Sequence, residues 1–244
     1  MKKHLAIKPD YQKIQIGEID KVILQLKEDE TPEKDVNKIK SCLYKSLKNE
    51  RLDLSYCGIS NEILSQILPL LSILNIKRLN LGNNQIGPAG ATALAKILET
   101  NTSLTHLFLY NNQIGPEGAK EVAEALTINT SLKELNLFGN KLGSAVAIAI
   151  AKALEENTSL TELHLGYNNI GTDGAIALAD SLKINTSLKK LDLEGTNLGP
   201  EGATALAEAL IENTSLTTLD LCFNNIGPDG TTALVEALKT NTSL

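Results

Sequence analysis

What most constrains this chain is a restart every 28 residues. Segments beginning at Leu104, Leu132, Leu160, Leu188 and Leu216 match one another place by place. Ile76 opens another on the same spacing, and Asn49 opens a 27-residue version, so seven consecutive units keep phase over 49–244. Such self-similarity marks an architecture in which each unit buries its apolar side only against its neighbours. Numbered from its first residue, a unit carries apolar side chains at places 1, 4, 6 and 11. In the third unit these are Leu104, Leu107, Leu109 and Ile114.

Two periods share each unit. The run Leu107-Phe108-Leu109-Tyr110 alternates, as a strand with one buried face requires. Further along, Ala119, Val122, Ala123 and Leu126 fall on one helical stripe, and Leu94, Leu178, Leu206 and Leu234 repeat the pattern. Pro88, Pro116, Pro200 and Pro228 stand where a helix begins, a place where no needed hydrogen bond is lost. Gly87, Gly115, Gly143, Gly171, Gly199 and Gly227 precede that place and mark a turn hostile to side chains. After each helix comes Asn-Thr-Ser, and Asn101, Asn129, Asn157, Asn185, Asn213 and Asn241 are predicted to be left-handed caps. Strands stack about 5 Å apart and helices about 8–10 Å apart, so a column of strand–helix units must curve with its strands inside. The expected fold is α/β, a right-handed horseshoe solenoid with parallel strands on the concave face and helices on the convex one.

The pattern L-x-x-L-x-L-x-x-N-x-I-G over 49–244 resembles the leucine-rich repeat. Its 28-residue length with a full helix is similar to the ribonuclease-inhibitor type, shared by NOD-like receptors and Ran GTPase-activating protein. The resemblance implies that the ninth residue bonds neighbouring turns in a ladder. Here that place holds Cys57, Asn84, Asn112, Asn140, Asn168, Thr196 and Asn224. Thr196 departs from the usual Asn or Cys, and its rung is expected to be weaker. Upstream, Leu24, Leu26, Val36, Ile39 and Leu43 fall on strand and helix core places of a degenerate unit over 21–48, so 1–48 is expected to form an N-terminal cap. At the other end, Leu219, Leu221, Leu234 and Leu238 are expected to be under-covered, either because a longer parent was trimmed or because another subunit sits there, as in a dimer.

Composition narrows the function classes. Aromatic residues make up 3% and Trp is absent, which suits a thin core of small aliphatic groups. Residues 1–48 carry eleven Lys against eight acids (+3), leaving −9 of the formal −6 on the rest. An acidic body repels phosphate backbones, which disfavours nucleic-acid partners. Cys42, Cys57 and Cys222 are too few and too scattered for a disulfide framework or a zinc motif. Neither a signal-peptide core nor a membrane-length apolar window is present, pointing to a cytoplasmic protein. The Asn-Thr-Ser triplets recur with the turn and are read as structural rather than as glycosylation acceptors.

Interest therefore falls on the outward strand places 3, 5, 7 and 8. Phe108, Phe138, Phe223, Tyr56, Tyr110 and Tyr167 all lie there, with His106 and His164. Strand propensity alone places aromatics on pleated surfaces; grouped rings off the core are also typical interface anchors. Around them lie Glu134, Glu162, Asp192, Glu194 and Asp220, with Arg51 and Arg78 toward the N-terminal end. A protein partner with a basic or amphipathic surface would complement this face. No catalytic constellation, phosphate loop or cofactor motif is found. His106 and His164, about 10 Å apart by strand spacing, are too distant to share a metal. Alternatives are a GTPase-activating regulator, implied by the resemblance, and an oligomeric scaffold joined through the C-terminal end; a Lys/Asn/Ile-rich style also suits a bacterial effector directed at host protein.

Overall fold

The computed structural model describes residues 9–244. Helices α1 (Pro9–Glu28) and α2 (Glu33–Ser46) lead into β1 (Arg51–Asp53), α3 (Asn61–Ile67), α4 (Leu70–Ile73) and β2 (Arg78–Asn80). From there strand and helix alternate: α5 (Pro88–Thr100), β3 (His106–Phe108), α6 (Gly115–Ile128), β4 (Glu134–Asn136), α7 (Ser144–Glu156), β5 (Glu162–His164), α8 (Gly171–Ile184), β6 (Lys190–Asp192), α9 (Gly199–Glu212), β7 (Thr218–Asp220) and α10 (Gly227–Leu238). All seven strands form one parallel sheet in sequence order. Its register puts Leu52, Leu79, Leu107, Leu135, Leu163, Leu191 and Leu219 in a single column. Helix α5 packs on α3 and each helix from α6 onward packs on its predecessor, and the wider helix spacing leaves the strands on the inside of the arc.

One continuous core runs through the stack. Leu104, Leu107, Leu109 and Ile114 are fully buried, as are their counterparts in the neighbouring units. Small residues at Gly118, Gly174, Gly202 and Gly230 let successive helices approach: a Cβ at Gly118 would stand 2.8 Å from both Ala91 Cβ and Pro88 Cα.

Two ladders tie the units together. On one edge, Asn112 Nδ2 donates to Leu109 O in its own turn and to Leu81 O one unit back, while its Oδ1 accepts from Ile86 N–H. Asn84, Asn140, Asn168 and Asn224 make similar sets, and the buried Cys57 N–H donates to Asn84 Oδ1. The Thr196 hydroxyl bonds Leu193 O and Asn224 Oδ1, and none of its side-chain bonds reaches the preceding unit.

The opposite edge corrects the expected caps. Asn101, Asn129, Asn157, Asn185 and Asn213 have φ between −79° and −70° and are extended, not left-handed. Their side chains do the capping instead. Asn129 Oδ1 accepts from Ser131 and Leu132 N–H, and its Nδ2 donates to Leu98 O, an end carbonyl of the previous helix. Asn241 bonds in the same way. With the orphan carbonyl met by a side chain, no reversal of the backbone is needed. Left-handed backbone occurs at place 8 of every unit, as Tyr56, Asn83, Asn111, Gly139, Tyr167, Gly195 and Phe223. Of the glycines before the helices, Gly87 alone is extended, with φ −98°.

The strand expected within 21–48 is also replaced. Residues 21–28 complete α1, because Ile19, Ile23 and Leu26 recur at four- and three-residue steps and are buried together, whereas Leu24 is exposed. Val36, Ile39 and Leu43 bury one stripe of α2, which packs on α1 and β1. Residues 1–8 of the expected cap lie outside the described residues. At the far end Leu219, Leu221 and Leu234 are half-buried and Leu238 is exposed, whereas Leu191, Leu193, Leu206 and Leu210 in the unit before are fully buried.

Candidate functional site

Period-two alternation puts places 3, 5 and 7 on the open side of the sheet, and the rings there pack by complementing glycines. Tyr110 lies over Gly82, where any Cβ would overlap its ring. Phe138 leans the other way over Gly166, whose hypothetical Cβ would come within 2.8 Å of it. Phe138 also meets Tyr167 with centroids 5.0 Å apart and planes tilted by 46°. Arg78 stacks over Phe108 at 5.5 Å, a cation–π contact. Phe108, Tyr110 and Phe138 are half-buried, whereas Tyr56, Tyr167 and Phe223 are 66%, 49% and 76% exposed. Those last three occupy the left-handed place 8, which a bulky side chain adopts at a cost on the order of 1 kcal/mol.

Polar side chains in adjacent strands form a chain of ionic contacts that spacing along the sequence did not reveal. Glu134 is the hub: its Oε2 lies 3.7 Å from both Arg78 Nη2 and His106 Nε2, and its Oε1 lies 3.9 Å from His164 Nε2. His164 Nδ1 sits 3.4 Å from Asp192 Oδ2, and Lys190 Nζ 3.2 Å from Glu162 Oε1. The contact with Asp192 raises the pKa of His164 against the opposing effect of burial. Burial resists ionisation of Asp192 too, but bonds from His164 and from Glu194 N–H hold its carboxyl below the usual range. His106 moves the other way, lowered by burial and by the Arg78 charge.

Two trios bring ligand-type atoms within 4.8 Å of one another: Glu134, Glu162 and His164; and Asp192, Glu194 and Asp220. Neither trio contains the His106–His164 pair that the spacing of the histidines had set apart. Carboxylates at matching places in consecutive units were the available signal, because equal places become lateral neighbours. In the second trio the N–H of the exposed Cys222 donates to Asp220 Oδ1, and a hydrogen bond to Asp220 raises the Cys222 pKa. The other cysteines are quieter: Cys57 is buried, its thiol pushed up to about 12 by burial, and Cys42 is partly buried on α2.

The helix side is not uniformly polar. Ile128, Ile148, Ile176, Ile184 and Ile211 are exposed there, and Ile148 and Ile176 hold the same place in consecutive units. No helix among the described residues is long and apolar enough to cross a membrane.

A strand–helix unit with a ladder asparagine, repeated in phase, defines a class. The family model described as Leucine Rich repeat matches residues 50–68, 73–95, 100–123, 129–151, 156–179, 185–207 and 212–235, well over half of the chain. The chain belongs to the leucine-rich-repeat family. No curated protein sequence matches it significantly. Among solved structures it is similar to the actin-binding site 2 of leiomodin-1 (20% identity, TM-score 0.42, covering 83% of this chain and 88% of that one). It is also similar to the tropomodulin C-terminal domain of Caenorhabditis elegans (15%, 0.35, 83% and 92%) and to a chain of the yeast Rad7–Elc1 complex (19%, 0.47, 87% and 52%).

Proposed function

We propose that this chain is a protein-binding module whose concave strand face seats a partner around Phe108, Tyr110, Phe138, Tyr167 and Phe223. The observation that carries this reading is the use of place 8. Four units fill it with Asn83, Asn111, Gly139 and Gly195, which tolerate left-handed backbone; the other three put large, exposed rings there. Strand propensity does not account for a ring in that conformation, since αL is no strand geometry. Rings that cost local stability while facing solvent are interface anchors in waiting. The acidic trio Asp192, Glu194 and Asp220 supports a partner that is basic where it meets β6 and β7.

Replacing Phe108, Tyr110 and Phe138 together with Ala is expected to abolish capture of the partner while the chain stays folded. Quantitative mass spectrometry of proteins crosslinked to the wild-type and triple-variant chains, with thermal melts of both, checks this; identical capture by the two removes the assignment. A second reading, pairing of two copies through α10, draws on the exposed Val235 and Leu238. A concentration-independent monomer in light scattering would dispose of it.

A further inference from the structure

We propose that the partner presents a bipolar helical segment of about four turns: acidic at the end lying over β1 and β2, apolar over the middle strands, basic at the end lying over β6 and β7. This rests on the docking reading above and adds the chemistry and direction of what docks.

The face carries opposite charges at its two ends. Arg51 and Arg78 border a depression of about 400 Å³ whose other walls include Phe108 and Tyr110. Arg51 also borders a second cavity of about 500 Å³, where Lys38 and Lys45 of α2 join it. The carboxylate on these walls, Asp53, is already turned to Ser55, accepting from both its N–H and its hydroxyl. Neither Arg51 nor Lys45 has an ion pair among the described residues. At the other end, Asp192, Glu194 and Asp220 converge, and among the described residues only Asp192 of the three has an ionic partner, His164. Converging carboxylates repel one another and gain when a cation comes between them. Tyr110, Phe138 and Tyr167 lie between the two charged ends. A wholly basic partner would therefore face Arg51 and Arg78 with like charge, and a wholly acidic one would meet the carboxylates.

Geometry sets the length. From β2 to β6 there are four strand steps of about 4.8 Å, or about 19 Å, which a helix spans in about 13 residues. The strand amides and carbonyls are engaged between neighbouring strands, so a segment laid across them cannot extend the sheet and must be recognised by side chains, as a helix in a groove is.

Three helical peptides of about 16 residues sharing one leucine face test the idea by fluorescence anisotropy against the full chain. One is acidic at one end and basic at the other, one carries only Lys, one only Glu. The wild-type chain is expected to prefer the bipolar peptide over the all-Lys peptide by about tenfold or more, with the preference shrinking as salt rises. Arg51→Glu with Arg78→Glu should reverse that order; Asp192→Lys with Asp220→Lys should shift preference to the all-Glu peptide. Lys45→Glu, off the sheet, serves if the double arginine variant melts early. Equal or tighter binding of the all-Lys peptide by the wild type, an unchanged order in the variants, or no binding of any peptide overturns the proposal. In each of those cases capture that still depends on Phe108, Tyr110 and Phe138 leaves the docking reading standing, whereas loss of that dependence sinks both.

Discussion

The edges of the solenoid and its inner face obey different rules. Along the edges the same residue returns unit after unit: Asn84, Asn112, Asn140, Asn168 and Asn224 on one side, Asn101 through Asn241 on the other, most of them buried and bonded across units. On the face, place 7 alone runs Ser55, Gly82, Tyr110, Phe138, Gly166, Glu194, Cys222. Where backbone groups must be satisfied, variation is costly, because a buried amide or carbonyl left unpaired bears its full desolvation penalty. Where side chains meet solvent, variation costs little and can be devoted to recognition. Stability is thus concentrated in what repeats, and specificity in what does not.

The sharpest way to break that contrast is at an edge. Asn140→Ala strips three carbonyls of the Nδ2 donor and Ile114 N–H of its acceptor, all inside the stack. A loss of about 2–4 kcal/mol is expected in urea unfolding, with no change specific to binding. On the face the sign should invert. Phe223→Gly removes an exposed ring from left-handed backbone and is expected to stabilise by about 0.5–1 kcal/mol while weakening partner capture, as paired melts and binding curves would show. Thr196→Asn supplies the missing reach toward Leu165 O and should add about 1 kcal/mol, measured as a raised urea midpoint.

The smallest effect is a matter of pH. His164 has a raised folded pKa, so its contribution is fully present below the unfolded value of about 6.5 and is lost as pH rises through the folded value. His106, lowered, contributes above about 6.5 and loses that contribution as pH falls through its folded value. Unfolding midpoints of His164→Gln and His106→Gln across this range should therefore depart from the wild type in opposite directions. Parallel curves would mean that Asp192 beside His164, and burial beside Arg78 for His106, do not govern the titration of the two rings.

Much of this contrast was legible in the residues. The 28-residue restart located every strand from Arg51 onward, and alternation along Leu107-Phe108-Leu109-Tyr110 separated buried from outward places. What escaped is what depends on a second period or on a neighbour. Ile19, Ile23 and Leu26 carry a helical step, but Leu24 and Leu26 also suit alternation, and the frame counted back from Asn49 favoured the strand. The Asn-Thr-Ser asparagines sit where a helix ends, which propensity associates with left-handed backbone; only the carbonyl of Leu98 one unit back explains why Asn129 stays extended. The exposure of Ile148 and Ile176 needed the orientation of α7 and α8, and the Glu134 hub needed lateral register, neither of which the spacing within one unit contains.

The span of the ladder bonds has a consequence for how such a chain can grow. From Asn112 to Leu81, Asn140 to Leu109, Asn157 to Leu126 and Asn213 to Leu182, donor and acceptor stand 31 residues apart. A gene segment of 28 codons copied in tandem would deliver each new amide to a waiting oxygen without any compensating change. The scaffold can therefore be lengthened by duplication, and the fresh surface left free to diverge.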